Sequence, residues 1–306
     1  MQNKFTKARA CLLCAAMICS VEGKGSESGQ VHYPVGVGTI MNGALPPPGE
    51  TSHYHYVQYY ESTRFNDGNG RSAIPDFKAE VYAWAPRIVH TWSEGIGPFH
   101  ISTGVIAPIT KVSLRAFGRQ ETSTGFGDPV IAPAHLYYVS PTGDFFAFGG
   151  VDIYVPIGKY DKKNLANNGL NYWTFAPSFN FTWLPTPRSE LSMTFFSEFN
   201  TENRATNYKS GNSATIDAAL AYKPFIKHPK IKVALQGFAT KQFTDDTSKD
   251  AVIIDGNRGQ AFALGPQVSY DLAGGYGGVL VKYQKEFGVE NRSQGNRFWF
   301  EFTLPF

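Results

Sequence analysis

The sequence ends on RFWFEFTLPF, residues 297–306, and this stretch decides the fold class. Apolar residues occupy every second position, namely Phe298, Phe300, Phe302, Leu304 and Phe306. The positions between them hold Arg297, Trp299, Glu301 and Thr303. Because successive side chains of a β-strand point to opposite faces, this period of two predicts a strand with one apolar face and one polar face.

The same alternation recurs through most of the preceding chain. It predicts about twelve strands, near residues 52–62, 77–92, 99–114, 126–139, 144–158, 170–184, 188–201, 212–224, 230–243, 259–272, 276–288 and 295–306, with ten or fourteen as alternatives. Most of these segments have the roughly ten residues that a tilted strand needs to cross a bilayer. Strands of soluble proteins are more often about 5–6 residues long.

The connections between the predicted strands alternate in length. Short turns such as 93–98 and 185–187 follow the even-numbered strands, whereas longer polar loops, including 115–125 and 244–258, mostly follow the odd ones. Outer-membrane barrels have short periplasmic turns, long external loops and an even number of strands. The pattern therefore predicts an all-β fold, a transmembrane antiparallel β-barrel over residues 52–306 with both termini periplasmic. Pro86, Pro129 and Pro133 should introduce bulges or kinks, because proline removes a ladder hydrogen bond.

The N-terminus has the pattern of a secretory signal peptide. A basic stretch over residues 1–9 precedes an apolar stretch over residues 10–18, and small residues follow. This predicts a signal peptide over residues 1–20, with cleavage as late as residue 23. A short core helix is disfavoured because the stretch lacks helical periodicity. All 3 cysteines precede the cleavage site, so the exported chain can form no disulfide, and we expect it in the outer membrane of a Gram-negative bacterium.

Residues 21–51 stand apart because they show no strand alternation. The stretch VHYPVGVGTIMNGALPPPGE, residues 31–50, is either a periplasmic tail or a segment that plugs the barrel lumen. Its apolar side chains would be costly to leave in water. The residues expected in such a plug are Val35, Ile40, Met41, Leu45, Pro46, Pro47 and Pro48. We further expect residues 30–50 to regulate passage through the barrel.

Charged residues on the polar strand faces are candidates to line the lumen. They are Lys78, Glu80, Asp152, Glu190, Glu198, Asp217, Lys232, Asp271, Lys282, Arg297 and Glu301. Acids and bases are both present, so we expect ion-pair networks that hold the barrel's shape rather than strong charge selectivity. By the same pattern, Leu220 and Leu264 should face lipid.

Several other functions lack support in the sequence. After removal of residues 1–20 the chain is near neutral, because the 28 basic residues fall to 25 against 25 acidic ones, so nucleic acid is a poor partner. His53 and His55 could bind a metal from one strand face, but no third ligand is evident. We therefore predict no metal, no cofactor and no catalytic residue.

Several motifs resemble one known family across nearly the whole exported chain. They are NGALPPPG (42–49), PIGKYDKKNLANNGLNYWTFAP (156–177), NRATNYKSG (203–211), DGNRGQAFALGPQVSYDL (255–272) and NRSQGNRFWFEFTLPF (291–306). The sequence resembles the outer-membrane family named for the meta-pathway of phenol degradation, also called the SphA-like family. The resemblance implies a β-barrel for hydrophobic or aromatic compounds, and it implies no particular catalytic or binding residue.

Three functions follow as hypotheses. The first is a channel for passive uptake of small hydrophobic, including aromatic, compounds across the outer membrane. The second is an outer-membrane enzyme of the lipid hydrolase type, which a Ser–His contact at the membrane surface would favour. The third is a structural barrel without transport. Expected partners are outer-membrane lipid and lipopolysaccharide, small hydrophobic solutes, and the barrel-assembly machinery, for which Phe306 would be the C-terminal signal.

Overall fold

The computed structural model describes residues 27–272 and 277–305. The strands are β1 (Thr51–Phe65), β2 (Lys78–Ile96), β3 (Phe99–Ile106), β4 (Ile109–Ala116), β5 (Arg119–Phe126), β6 (Val130–Val139), β7 (Phe145–Tyr154), β8 (Thr174–Thr186), β9 (Ser189–Asn200), β10 (Tyr208–Lys209), β11 (Ser213–Tyr222), β12 (Ile231–Gln242), β13 (Thr247–Ser248), β14 (Gln260–Asp271), β15 (Gly278–Glu290) and β16 (Ser293–Pro305). Short 3₁₀ turns lie at Glu27–Gly29 and Ile254–Asn257. Within this part of the chain, no helix is long and apolar enough to span a membrane. The predicted signal peptide and Phe306 lie outside the described residues.

Twelve strand positions close into one antiparallel barrel. β1 completes the closure because it pairs with β2 on one side and with β16 on the other. β3 and β4 lie end to end beside β2 and count as one position. β5 and β6 likewise share the next position, since β5 pairs with β4 and β6 pairs with β3. The predicted all-β barrel of twelve strands is confirmed.

The two ends of the barrel differ in their connections. The turn end holds residues 97–98, 140–144, 187–188 and 223–230, and it is also where β1 starts, β14 ends and β15 starts. The loop end holds the longer connections 66–77, 155–173, 201–212 and 243–259, together with tight turns at 117–118 and 291–292. β10 and β13 pair with each other within the loops of this end. In the arrangement of outer-membrane barrels, the loop end faces the cell exterior.

The predicted external loop at 115–125 is wrong. Most of this stretch is strand, because β5 begins at Arg119 and the turn before it contains only Phe117 and Gly118. These two residues have φ angles of 54° and 71°, as the central positions of a tight hairpin turn require. β5 reads RQETSTGF, which is polar on both faces, so it lacks the alternation by which the other strands were predicted.

Proline marks two irregular places in the wall. At Pro86, β2 changes its neighbour from β4, which pairs up to Trp84, to β3, which pairs from Arg87 onward. Pro133 lies inside the register shift between Ile131 and His135, where β6 pairs with β7. The expected irregularities at these two prolines are confirmed, because a residue without an N–H cannot donate a ladder hydrogen bond.

The outer face of the barrel is apolar, and much of its inner face is polar. Leu220 and Leu264 are 62% and 53% exposed on the outside, whereas Asp217 is fully buried on the inside. Trp173 and Trp183, near opposite ends of the wall, also point outward. An apolar band with aromatic residues at both edges matches the surface that a barrel presents to lipid.

Leu264→Arg tests this orientation. Leu264 lies near the middle of β14, so a guanidinium there would enter the hydrocarbon region of the bilayer. We expect the free energy of unfolding in lipid vesicles to fall by about 2–4 kcal/mol, measured by urea titration. Val252→Arg, at a loop site that is 89% exposed, is the matched control and should change stability little. Equal stability of the two variants would contradict the assigned register.

Candidate functional site

Residues 27–50, here called the plug segment, run through the barrel from the loop end to the turn end. At the loop end, the backbone N–H of Glu27 donates to Ser210 Oγ at 2.9 Å. At the turn end, the N–H of Gly49 donates to the carbonyl oxygen of Thr91 at 2.7 Å. The segment therefore lies in the lumen rather than forming a periplasmic tail. The N-terminus of the exported chain, which the sequence pattern predicted to be periplasmic, lies outside the described residues.

Two buried carboxylates of the wall hold the first half of the plug segment. Asp217 on β11 accepts the Tyr33 hydroxyl at 2.7 Å and the N–H groups of Gly36 and Gly38 at 3.0 and 2.9 Å. Glu198 on β9 accepts the N–H groups of His32 and Tyr33 at 2.9 and 3.0 Å. An irregular segment has no ladder partners, and buried N–H groups need acceptors. The carboxylates supply them.

Other inward side chains hold the middle of the plug segment. Lys282 on β15 donates to the carbonyl oxygen of Val37 at 2.7 Å, and Gln284 Nε2 donates to that of Gly36 at 3.0 Å. Glu190 accepts the N–H of Met41 and pairs with Lys232 at 3.1 Å. The wall therefore contributes donors and acceptors to the backbone of the same segment.

His32 connects the plug segment to the wall and to an external loop. Its Nδ1 lies 2.8 Å from Thr174 Oγ1, and its Nε2 lies 3.0 Å from Asp128 Oδ2. The Asp128 carboxylate also accepts the N–H groups of Gly158 and Leu170, in the loop 155–173, at 2.8 and 2.6 Å. Sequence reasoning missed both residues, because His32 lies in a stretch without alternation and Asp128, inside the predicted strand 126–139, was not selected as a lumen charge.

The apolar plug residues differ in burial. Val35 packs with buried side chains of the wall such as Val130 and Phe196. Leu45 packs against Val89, Tyr137 and Phe148 nearer the turn end. The remaining predicted residues of the segment are Pro46, which is buried; Ile40, Met41 and Pro47, which are half-buried; and Pro48, which is exposed.

Most predicted lumen charges lie on the inner face of the wall. These are Asp152, Glu190, Glu198, Asp217, Lys232, Asp271, Lys282, Arg297 and Glu301, of which Asp152, Asp271 and Glu301 are half-buried and the others buried. Several pair across neighbouring strands, as Lys282 does with Glu301 at 2.7 Å and Arg297 with Glu286 at 2.8 Å.

Lys78 and Glu80 are corrections, because they point outward. They form an ion pair of 3.2 Å on the same face of β2 as the exposed Tyr82. The inner face of β2 carries small apolar residues such as Val81 and Ala83. The rule that the polar face is the inner face fails on this strand because its inner face borders an apolar cavity rather than the plug segment.

That cavity, of about 400 Å³, lies between the plug segment and the wall formed by β1 to β4. Pro34 and Val37 contribute from the plug side. The wall side includes Ile74, Phe77, Val81, Ala83, Ala85 and Leu114. Polar and charged side chains, including Arg87, Asp152 and Asn180, also line the cavity. A lining that is mainly apolar with some placed polar groups is typical of sites for small molecules.

A closed antiparallel barrel with an apolar outer band is the architecture of an outer-membrane β-barrel and places the protein in the bacterial outer membrane. The chain belongs to the family described as MetA-pathway of phenol degradation, whose model matches residues 62–302. This confirms the family that the sequence motifs indicated. No protein with a curated description matches the sequence.

Several solved structures are similar to this chain. An outer membrane channel from Pseudomonas putida is 15% identical, with a TM-score of 0.75 over 87% of this chain and 98% of that one. The β domain of the Bordetella autotransporter BrkA is 10% identical, with a TM-score of 0.49 over 85% of this chain and 100% of that one. The translocator domain of NalP from Neisseria meningitidis is 8% identical, with a TM-score of 0.46 over 85% of this chain and 90% of that one. Of these three, the Pseudomonas putida channel, with its TM-score of 0.75, supports the fold.

Proposed function

We propose that this protein is an outer-membrane channel for the passive uptake of small hydrophobic compounds, including aromatic ones. The observation that carries the proposal is the apolar cavity beside the plug segment. A pore for ions or sugars would present polar groups along its path, whereas the wall of β2 presents Val81, Ala83 and Ala85.

The size of the barrel agrees with this proposal. Open aqueous channels are found in barrels of 16–18 strands, and twelve strands enclose a narrower lumen. Lipopolysaccharide slows the entry of apolar solutes. A narrow apolar path would speed their entry, and a wide aqueous pore would not. The family description, which concerns phenol degradation, and the similar Pseudomonas putida structure, described as a channel, support the same proposal.

The plug segment would regulate passage, because it fills the part of the lumen that lies beside the cavity. Its backbone is held by side chains such as Asp217 and Glu198, so it can leave without breaking the strand ladder of the wall. The outer surface would contact membrane lipid and lipopolysaccharide, and the C-terminal Phe306 would be read by the barrel-assembly machinery.

Ala83→Phe tests the path. Ala83 points into the cavity from β2, and a phenyl ring there would occupy the space that a solute needs. In a Gram-negative host that expresses the protein, we expect radiolabelled naphthalene to enter several-fold faster than in cells with an empty vector. The Ala83→Phe variant should remove most of this gain.

Ala214→Phe is the matched control, because Ala214 is exposed and lies on β11 beside the inward Ser213 and Thr215. It should leave the uptake unchanged. Heat-modifiable migration on gels would show that each variant is folded. Naphthalene entry at the empty-vector rate, in cells that contain folded wild-type protein, would refute the proposed function.

A further inference from the structure

Two arginines that line the cavity have no ion-pair partner in the described part of the chain. Elsewhere inside the barrel, cations pair with acids, as Arg297 does with Glu286 at 2.8 Å and Lys232 with Glu190 at 3.1 Å. Among residues 27–272 and 277–305, neither Arg87 nor Arg292 forms an ion pair, although both line the cavity.

Arg292 lies at the loop end of the cavity, in the turn between β15 and β16. It is only 8% exposed, and its Nε has no hydrogen-bond partner within the described chain. Burial lowers the pKa of its guanidinium, but arginine stays protonated in proteins. Phe65 and Ser293 line the cavity beside it. Glu286 and Glu198 act on this guanidinium only from beyond ion-pair distance, so a buried positive charge stands at this end without a contacting anion among the described residues.

Arg87 lies deeper, opposite Tyr54 in the ladder between β1 and β2 and so nearer the turn end. Its Nη1 reaches the Tyr56 hydroxyl at 3.5 Å, and its guanidinium lies 5.4 Å from the centre of the Tyr54 ring. Gln58, the next inward residue of β1, is 7% exposed, and its Nε2 has no hydrogen-bond partner among the residues that the structure describes. Asp152, which also lines the cavity, acts on Arg87 only from beyond ion-pair distance. Apart from the Tyr56 hydroxyl, this second group of donors therefore has no acceptor among the described residues.

Buried donors without acceptors are costly, and a buried unpaired charge is more so. A carboxylate is the natural complement, because the two oxygens of a carboxylate match two N–H groups of a guanidinium. Between the two arginines, β2, β4 and the residues before β2 contribute apolar side chains to the lining, including Phe77, Val81 and Leu114. A complementary ligand would therefore combine an apolar body with one anionic group.

We propose that the cavity binds apolar carboxylic acids, with Arg292 receiving the carboxylate at the loop end and Arg87 holding it deeper in the barrel. This rests on the proposed uptake function and names the solute class that it favours. The apolar lining takes the body of the solute, and the two guanidiniums distinguish an acid from a neutral molecule of the same shape.

Binding of 1-pyrenebutyric acid and of its methyl ester to the purified full-length protein tests the proposal. Both probes are fluorescent and share one apolar body, and only the acid is ionised at neutral pH. We expect the acid to bind wild-type protein at least about tenfold more tightly than the ester. Arg87→Gln and Arg292→Gln should each weaken binding of the acid and not of the ester, and the double variant should bind the two probes equally.

Arg87→Lys and Arg292→Lys keep the charge and should retain part of the preference for the acid. Arg204→Gln, at an exposed loop position, is the matched control and should behave like wild type. Equal affinity of wild-type protein for acid and ester would overturn the proposed preference while leaving hydrophobic uptake intact. Absence of binding by either probe, together with naphthalene entry at the empty-vector rate, would refute the proposed function as well.

Discussion

Deletion of residues 30–48 should raise the single-channel conductance several-fold and loosen the selection among solutes. The deleted stretch fills the lumen beside the cavity, and its removal would join the two spaces into one water-filled path. The wall should remain folded because β1 pairs with β2 and β16 without help from the plug segment. Asp217 and Glu198 would lose their N–H donors but gain water in the opened lumen. Planar-bilayer recording measures the conductance.

Deletion of residues 250–252 is a suitable control, because these residues lie in an exposed part of an external loop. It should leave conductance at the wild-type level. Heat-modifiable migration would confirm that both deletion variants are folded. If the variant without residues 30–48 is folded and conducts like wild type, the plug segment does not limit passage.

The strands with alternating sequences could be predicted, and the others could not. β16 was predictable because lipid selects Phe298 and Phe300 on one face while the interior accepts Arg297 on the other. β5 was not, since its residues are polar on both faces and lie next to the loop 155–173. Asn168, for example, donates to the carbonyl oxygens of Thr110 and Ser123 at this place. Such tertiary contacts leave no period in the sequence.

The candidate site was predictable only in its wall. The alternation on β11 correctly indicates that Asp217 is on the inner face, but it cannot show that three donors of the plug segment converge on one carboxylate. On β2 the same reasoning selected Lys78 and Glu80, although the cavity is lined by the opposite face, with Val81 and Ala83. Whether the polar face of a strand points into the barrel depends on what fills the barrel beside it, and the strand's own residues do not encode that.

Asp217→Leu should release the middle of the plug segment. The substitution removes the acceptor of the Tyr33 hydroxyl and of the Gly36 and Gly38 N–H groups. Hydrogen bonds to a charged group contribute about 1.5–3 kcal/mol each, and the three share one carboxylate. We therefore expect the free energy of local opening to fall by roughly 3 kcal/mol, which corresponds to about hundredfold faster amide exchange. Hydrogen–deuterium exchange of peptides that cover residues 33–41 measures it.

Asp217→Asn should have a smaller effect than Asp217→Leu. The side-chain oxygen of asparagine can still accept hydrogen bonds from some of the three donors, while its NH2 group faces the remaining N–H. Exchange should then lie between wild type and Asp217→Leu. Asp271→Asn is the matched control, since Asp271 pairs with Lys223 and Lys232 at 3.4 and 3.6 Å rather than with the plug segment. It should leave exchange in residues 33–41 unchanged. Unchanged exchange in folded Asp217→Leu would mean that the carboxylate does not hold the segment, and that packing around side chains such as Val35 does.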